Sequence, residues 1–171
     1  MNKIYNNLTV DNLIKTEWFN QFTSSEQEEI RKGLATNIDV SIYTDLEFNW
    51  KQMKEIRLGL EKKLDVSIYA KTEYDYEKMY QIRTGLEKGL DISWYANSEY
   101  SWEQMSEIRL GLEANLDVSV YAKIDFNSVQ MNEIKWGLED NLDVSLYANP
   151  EVPSLKMKEI RLKLLKESTL K

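Results

Sequence analysis

The chain has 171 residues, a formal net charge of −7, 42% apolar and 30% charged residues, no His and no Cys. That balance belongs to a folded globular protein rather than a disordered segment. Without Cys there are no disulfides or thiolate metal sites, and without His as well the commonest general bases and nucleophiles are missing, which leaves carboxylate chemistry as a possible route to catalysis.

Residues 1–10 are polar and hold no apolar run of signal-peptide length, and no stretch approaches the roughly 20 apolar residues of a membrane span. A cytoplasmic protein with no membrane partner is expected. Leu8 to Phe22, carrying Leu13, Ile14, Trp18 and Phe19, is amphipathic and falls within an N-terminal cap over 1–24.

From Thr23 onward the chain is periodic. Ile30, Ile56, Ile82, Ile108, Ile134 and Ile160 recur every 26 residues without an insertion. The following column is Arg31, Arg57, Arg83, Arg109, Lys135 and Arg161. The glycine column is Gly33, Gly59, Gly85, Gly111 and Gly137, and further columns hold Asp39 to Asp143 and Tyr43 to Tyr147 at the same step. Such self-similarity marks a repeat architecture in which each unit buries its apolar face against its neighbours.

Within one repeat, Trp50, Met53, Ile56, Leu60 and Leu64 fall at three- and four-residue steps, which predicts an amphipathic helix from 50 to about 62. Asn49, Asp75, Ser101 and Asn127 stand at its N-cap, with Gln52, Gln104 and Gln130 placed for capping boxes, as Glu26 is for Thr23. Asn37, Lys63, Gly89, Asn115 and Asn141 mark a left-handed stop. The segment after each stop, such as Asp65 to Ala70, reads as a second, short helix opened by Asp, with a short strand as the alternative because Val-Ser-Ile-Tyr favours strands. The expected fold is all-α: a short α-solenoid of two-helix 26-residue repeats with N- and C-terminal caps. It forms one repeat domain over 1–171, with helical repeats over 25–154 and a C-terminal capping helix in 155–171, centred on about 155–166 after Pro150 and Pro153.

Each Gly inside a helix costs about 1 kcal/mol relative to Ala, so the column predicts close approach by the next repeat. Lys163 replaces Gly in the last unit, where no repeat follows. The Arg and Asp columns predict a charged ladder from the long helix to the cap of the short one. Repetition of the Asp and Glu columns points to structure rather than catalysis, because an active site needs one asymmetric constellation. Calcium-loop spacing and phosphate-cradling Gly loops are absent, so no cofactor or metal is expected. The Tyr column and Phe48, Tyr74, Tyr100 and Phe126 are expected in the core, not as stacking platforms for bases.

Pattern-breaking residues are the candidate site. The column of Glu28, Lys54, Ser106, Asn132 and Lys158 is polar but holds Tyr80. The column of Lys32, Leu58, Thr84, Leu110 and Leu162 holds Trp136. These columns lie four apart and share a helix face. Trp94 interrupts an aliphatic column in the short helices. Tyr80, Trp136 and Trp94 are the partner-binding candidates, of the aromatic type that dominates interfaces, with local repacking as the alternative.

Residues 1–24 balance to zero and 156–171 carry +4, which leaves −11 between them. An acidic body disfavours nucleic acid phosphates and suits a basic protein surface.

The strings Met53 to Ala70 (MKEIRLGLEKKLDVSIYA), Met79 to Ala96 and Met105 to Ala122 resemble a helical repeat, roughly EIRLGLE-x-GLDVS-x-YA, of proteins from bacterial phages and mobile elements. The resemblance covers about residues 26–162. It implies a small accessory protein, a recurrent role of which is to inhibit a host defence complex, as anti-CRISPR proteins do. The function expected is therefore non-enzymatic protein–protein interaction, with inhibition of a nucleic-acid-handling defence effector as its concrete form. The alternative is a scaffolding module that self-assembles as a homo-oligomer or joins a larger complex; carboxylate hydrolysis is the weakest reading.

Overall fold

The computed structural model describes residues 10–44 and 47–170. Among them every regular element is helical and none is a strand, so the fold is the all-α repeat that the 26-residue period predicts. The elements in chain order are α1 (Val10–Leu13), α2 (Glu17–Asn20), α3 (Ser24–Ala35), α4 (Trp50–Glu61), α5 (Tyr76–Glu87), α6 (Trp102–Glu113), α7 (Ser128–Glu139) and α8 (Ser154–Ser168). The second element of each repeat is a single 3-10 turn: Val40–Ile42, Val66–Ile68, Ile92–Trp94, Val118–Val120 and Val144–Leu146. The strand alternative fails because Asp holds the backbone in a turn. Asp65 Oδ1, for instance, accepts from Ser67 N at 3.1 Å and from Ser67 Oγ at 2.6 Å.

The expected caps are in place. Asn49 with Gln52, Ser101 with Gln104, Asn127 with Gln130 and Thr23 with Glu26 each form a reciprocal capping box. Each Gln also reaches out of its own repeat. Gln52 Nε2 donates to the Tyr74 carbonyl at 2.8 Å, and Gln130 Nε2 donates to the Pro150 and Val152 carbonyls at 2.8 Å each. One side chain thus starts a helix and pins the loop of the following repeat. At the other end Asn37, Lys63, Gly89, Asn115 and Asn141 have φ between 55° and 67°. Leu64 N then bonds to the Gly59 carbonyl and Lys63 N to the Leu60 carbonyl, the six-to-one and five-to-two pair that closes a helix through a left-handed residue.

Two compact units divide at Arg83 and Thr84. In the first, α3 packs on α4; in the second, α6 packs on α7 and α7 on α8. The core of both is the same columns repeated: Ile30, Ile56, Ile82, Ile108 and Ile134 are fully buried, as are Met53, Met79, Met105 and Met131. The predicted N-terminal cap begins at Leu8, which lies outside the described residues. Its described part buries Leu13, Phe19 and Phe22 and is tied to α3 by Gln27 Nε2, which donates to the Phe19 and Phe22 carbonyls at 3.2 and 3.0 Å.

The glycines answer to a different neighbour from the one expected. A Cβ on Gly59 would lie 1.9 Å from the Tyr69 hydroxyl and 2.9 Å from Val66 Cγ1, and Gly33, Gly111 and Gly137 meet Tyr43, Tyr121 and Tyr147 in the same way. The crowding partner is the tyrosine of the same repeat, not the next repeat. The ring folds back over its own long helix so that the hydroxyl donates to the carbonyl of Glu55, at 3.2 Å from Tyr69. Lys163 is free of this contact and strongly exposed, and α8 runs past it to Ser168.

Candidate protein-binding face

The charged columns are structural, but their wiring differs from the expected ladder of Arg to Asp. Four cations of this column, three Arg and Lys135, each reach a Glu on the preceding long helix. Arg57 Nε donates to Glu29 at 2.9 Å and Arg83 Nε to Glu55 at 2.8 Å in the first unit. Lys135 Nζ donates to Glu107 at 2.6 Å and Arg161 Nε to Glu133 at 2.8 Å in the second. Arg57 also pairs with Glu61 on its own helix, as Arg109 does with Glu113. The Asp column is consumed in capping its own 3-10 turns. Burial pushes the Glu29 carboxyl up, but hydrogen bonds from Lys32 and Arg57 outweigh it and hold the group below the usual carboxylate range. These pairs leave Glu29, Glu55 and Glu133 as structural groups, and among the described residues no cluster of three or more carboxylates is arranged to hold a metal ion.

The aromatic residues divide into two populations. Tyr43, Tyr69, Tyr95, Tyr121 and Tyr147 are at most 1% exposed, and Phe48, Tyr74, Tyr100 and Phe126 are buried as well. Bases have no access to them, and burial raises the hydroxyl pKa of Tyr147 to about 12. The exposed population includes all three candidates: Tyr80 at 43%, Trp136 at 41% and Trp94 at 39%. Trp50 and Trp102 join them, each at 40%. The three- and four-residue spacing predicts Trp50 on the apolar stripe of its helix. At 100° per residue, however, Trp50 lies about 120° around the helix from the fully buried Ile56, beyond the edge of the core face. The usable signal was the polar company it keeps, since its column also holds Ser24, Ser128 and Ser154.

Comparisons with family models, with curated proteins and with solved structures return no match.

Tyr80 belongs to the first unit, where the Arg83 guanidinium lies 5.4 Å from its ring centroid. In the second unit Trp136 lines an open groove of about 420 Å³ with Trp102, Ser106, Val129, Asn132 and Lys158. Trp94, on the 3-10 turn Ile92–Trp94, does not line it. A smaller groove of about 310 Å³ occupies the corresponding register of the first unit, walled by Ser24, Glu28, Lys32 and Trp50. Lys32 is already engaged there by Glu28 and Glu29 at 3.8 and 2.8 Å. Within each unit the long helices therefore present exposed aromatic rings over a framework held by buried ion pairs. Fixed rings of this kind offer large contact area at little cost in side-chain entropy. No helix among the described residues is long and apolar enough to cross a membrane.

Proposed function

We propose that this chain is a non-catalytic protein-binding repeat that docks exposed aromatic residues of its long helices on a basic surface of a protein partner. In the setting implied by the repeat it resembles, that partner is a nucleic-acid-handling defence effector and the chain its inhibitor. The observation that carries the reading is the exposure of Trp50, Tyr80, Trp102 and Trp136 on the long helices, while the tyrosines of every 3-10 turn are buried. Large exposed aromatics are what interface hot spots are made of, and the acidic central body steers a basic surface toward them.

The test is affinity capture from a bacterial lysate with tagged chain at low and high salt, followed by reconstitution with the purified captured protein. A stoichiometric, salt-sensitive partner that handles nucleic acid, lost with the double variant Tyr80→Ala and Trp136→Ala, supports the proposal. Recovery of bait alone, with concentration-dependent oligomers in light scattering, replaces it with a self-assembling scaffold.

A further inference from the structure

We infer that the groove between α6 and α7 is a cation–π site that takes an arginine side chain from the partner; this deepens the proposed protein-binding role and rests on it. The chain itself shows how its exposed rings are used. Lys51 Nζ lies 4.1 Å from the Tyr76 ring centroid and 5.9 Å from that of Trp50, Arg83 covers Tyr80 at 5.4 Å, and Arg161 covers Trp136 at 5.0 Å. On this face Trp102 breaks the rule: its ring is 40% exposed, and no described cation stands over it.

A sequence change distinguishes Trp102 from Trp50. The residue after Trp50 is Lys51, which supplies the cation, whereas the residue after Trp102 is Glu103. An internal cation is thus replaced by a carboxylate beside an open indole, a combination that attracts a cation from outside. Of the other carboxylates in the groove, Glu107 and Glu133 are already held by Lys135 and Arg161. Glu103 has no cation within ion-pair distance among the described residues. Lys158 of α8 also lines the groove, but it makes no described contact with the Trp102 ring.

A second observation points to a hydrogen-bond donor. Asn132, on the α7 wall of the groove, has its Oδ1 buried with no hydrogen-bond partner. An unsatisfied buried acceptor is costly, and a donor reaching Oδ1 from the groove removes the penalty. Arginine meets all three demands. Its planar guanidinium stacks on an indole while its several N–H groups serve Glu103 and Asn132 together, which an ammonium point charge does less well. The groove volume of about 420 Å³ accommodates a side chain of that size.

The experiment is a titration of the isotopically labelled full chain with three synthetic peptides, alike but for their central residues: arginine, lysine, or citrulline, the neutral isostere of arginine. It is followed at the indole N–H and Asn side-chain resonances. The arginine peptide is expected to shift Trp102 and Asn132 first, the lysine peptide to bind more weakly, and the citrulline peptide to leave them unmoved. Trp102→Ser installs the residue found in the same column at Ser24, Ser128 and Ser154, and Glu103→Lys installs the equivalent of Lys51. Each is expected to weaken the arginine peptide about tenfold at unchanged melting temperature. Should Trp102→Ser unfold the chain, Glu103→Lys alone decides. Equal shifts with citrulline, shifts spread over the acidic loops and indifferent to both variants, or no shift overturn the site. If a basic partner is captured yet binds both variants as tightly as the parent, the arginine site falls and the protein-binding function stands.

Discussion

Gly59→Ala is ordinarily a stabilising change in a helix interior, by about 1 kcal/mol; here it is expected to destabilise. The new Cβ would sit 1.9 Å from the Tyr69 hydroxyl and 2.9 Å from Val66 Cγ1. The ring cannot swing away, because Tyr69 is 0% exposed and its hydroxyl is bonded to the Glu55 carbonyl. Overpacking costs about 1–3 kcal/mol, and stranding the buried hydroxyl about 1–3 kcal/mol more. Set against the helix gain, a net loss of about 2–4 kcal/mol is expected. Tyr69→Phe by itself removes one hydrogen bond, worth about 1 kcal/mol, and also removes the clashing atom. The nearest ring atom to the new methyl is then Cζ, at 3.2 Å. The double variant should therefore recover most of the loss, with a positive coupling energy in the cycle. Urea unfolding of the four proteins, followed by circular dichroism, measures it. A Gly59→Ala protein as stable as the parent, or a cycle with no coupling, would refute the tyrosine as the reason for the glycine.

Four further outcomes follow from the structure. Arg57→Ala takes one of two cations from the buried Glu29 and leaves Lys32 at 2.8 Å, so a cost of about 2–3 kcal/mol is expected in urea unfolding, below that of a fully stranded buried charge. Because the folded-state pKa of Glu29 is depressed, its share of stability is present above the unfolded carboxylate pKa and lost as pH falls through the folded value; Glu29→Gln should therefore flatten the acid side of a melting-temperature profile. Lys63 holds φ of 58° at a helix stop, so Lys63→Gly should raise stability by roughly 0.5–1 kcal/mol, read as a shift in the urea midpoint. Gln130→Glu keeps the capping acceptor but loses the two donor bonds to Pro150 and Val152. It is expected to cost about 2 kcal/mol in thermal unfolding, whereas an unchanged melting temperature would show that the Gln serves its own helix alone.

What was legible in the sequence is what local interactions decide. Thr23 and Asn127 cap because their side chains bond to amides three residues on, Lys63 and Asn141 stop helices through their own backbone angles, and the 26-residue period places the same columns in every core. Even the exposed candidates were readable, since a lone aromatic in a polar column, such as Tyr80, has no core to enter. What the tertiary structure decided is which column meets which. Spacing alone cannot tell that Arg57 reaches back 28 residues to Glu29 rather than to an Asp, or that Tyr69 folds onto Gly59 of its own repeat. A repeat gives every column an equivalent neighbour both within the unit and across to the next, and only the rotation of one helix against another chooses between them. The groove beside Trp102 is the same kind of fact: two helices must pack before an indole, a carboxylate and an unsatisfied amide share one groove.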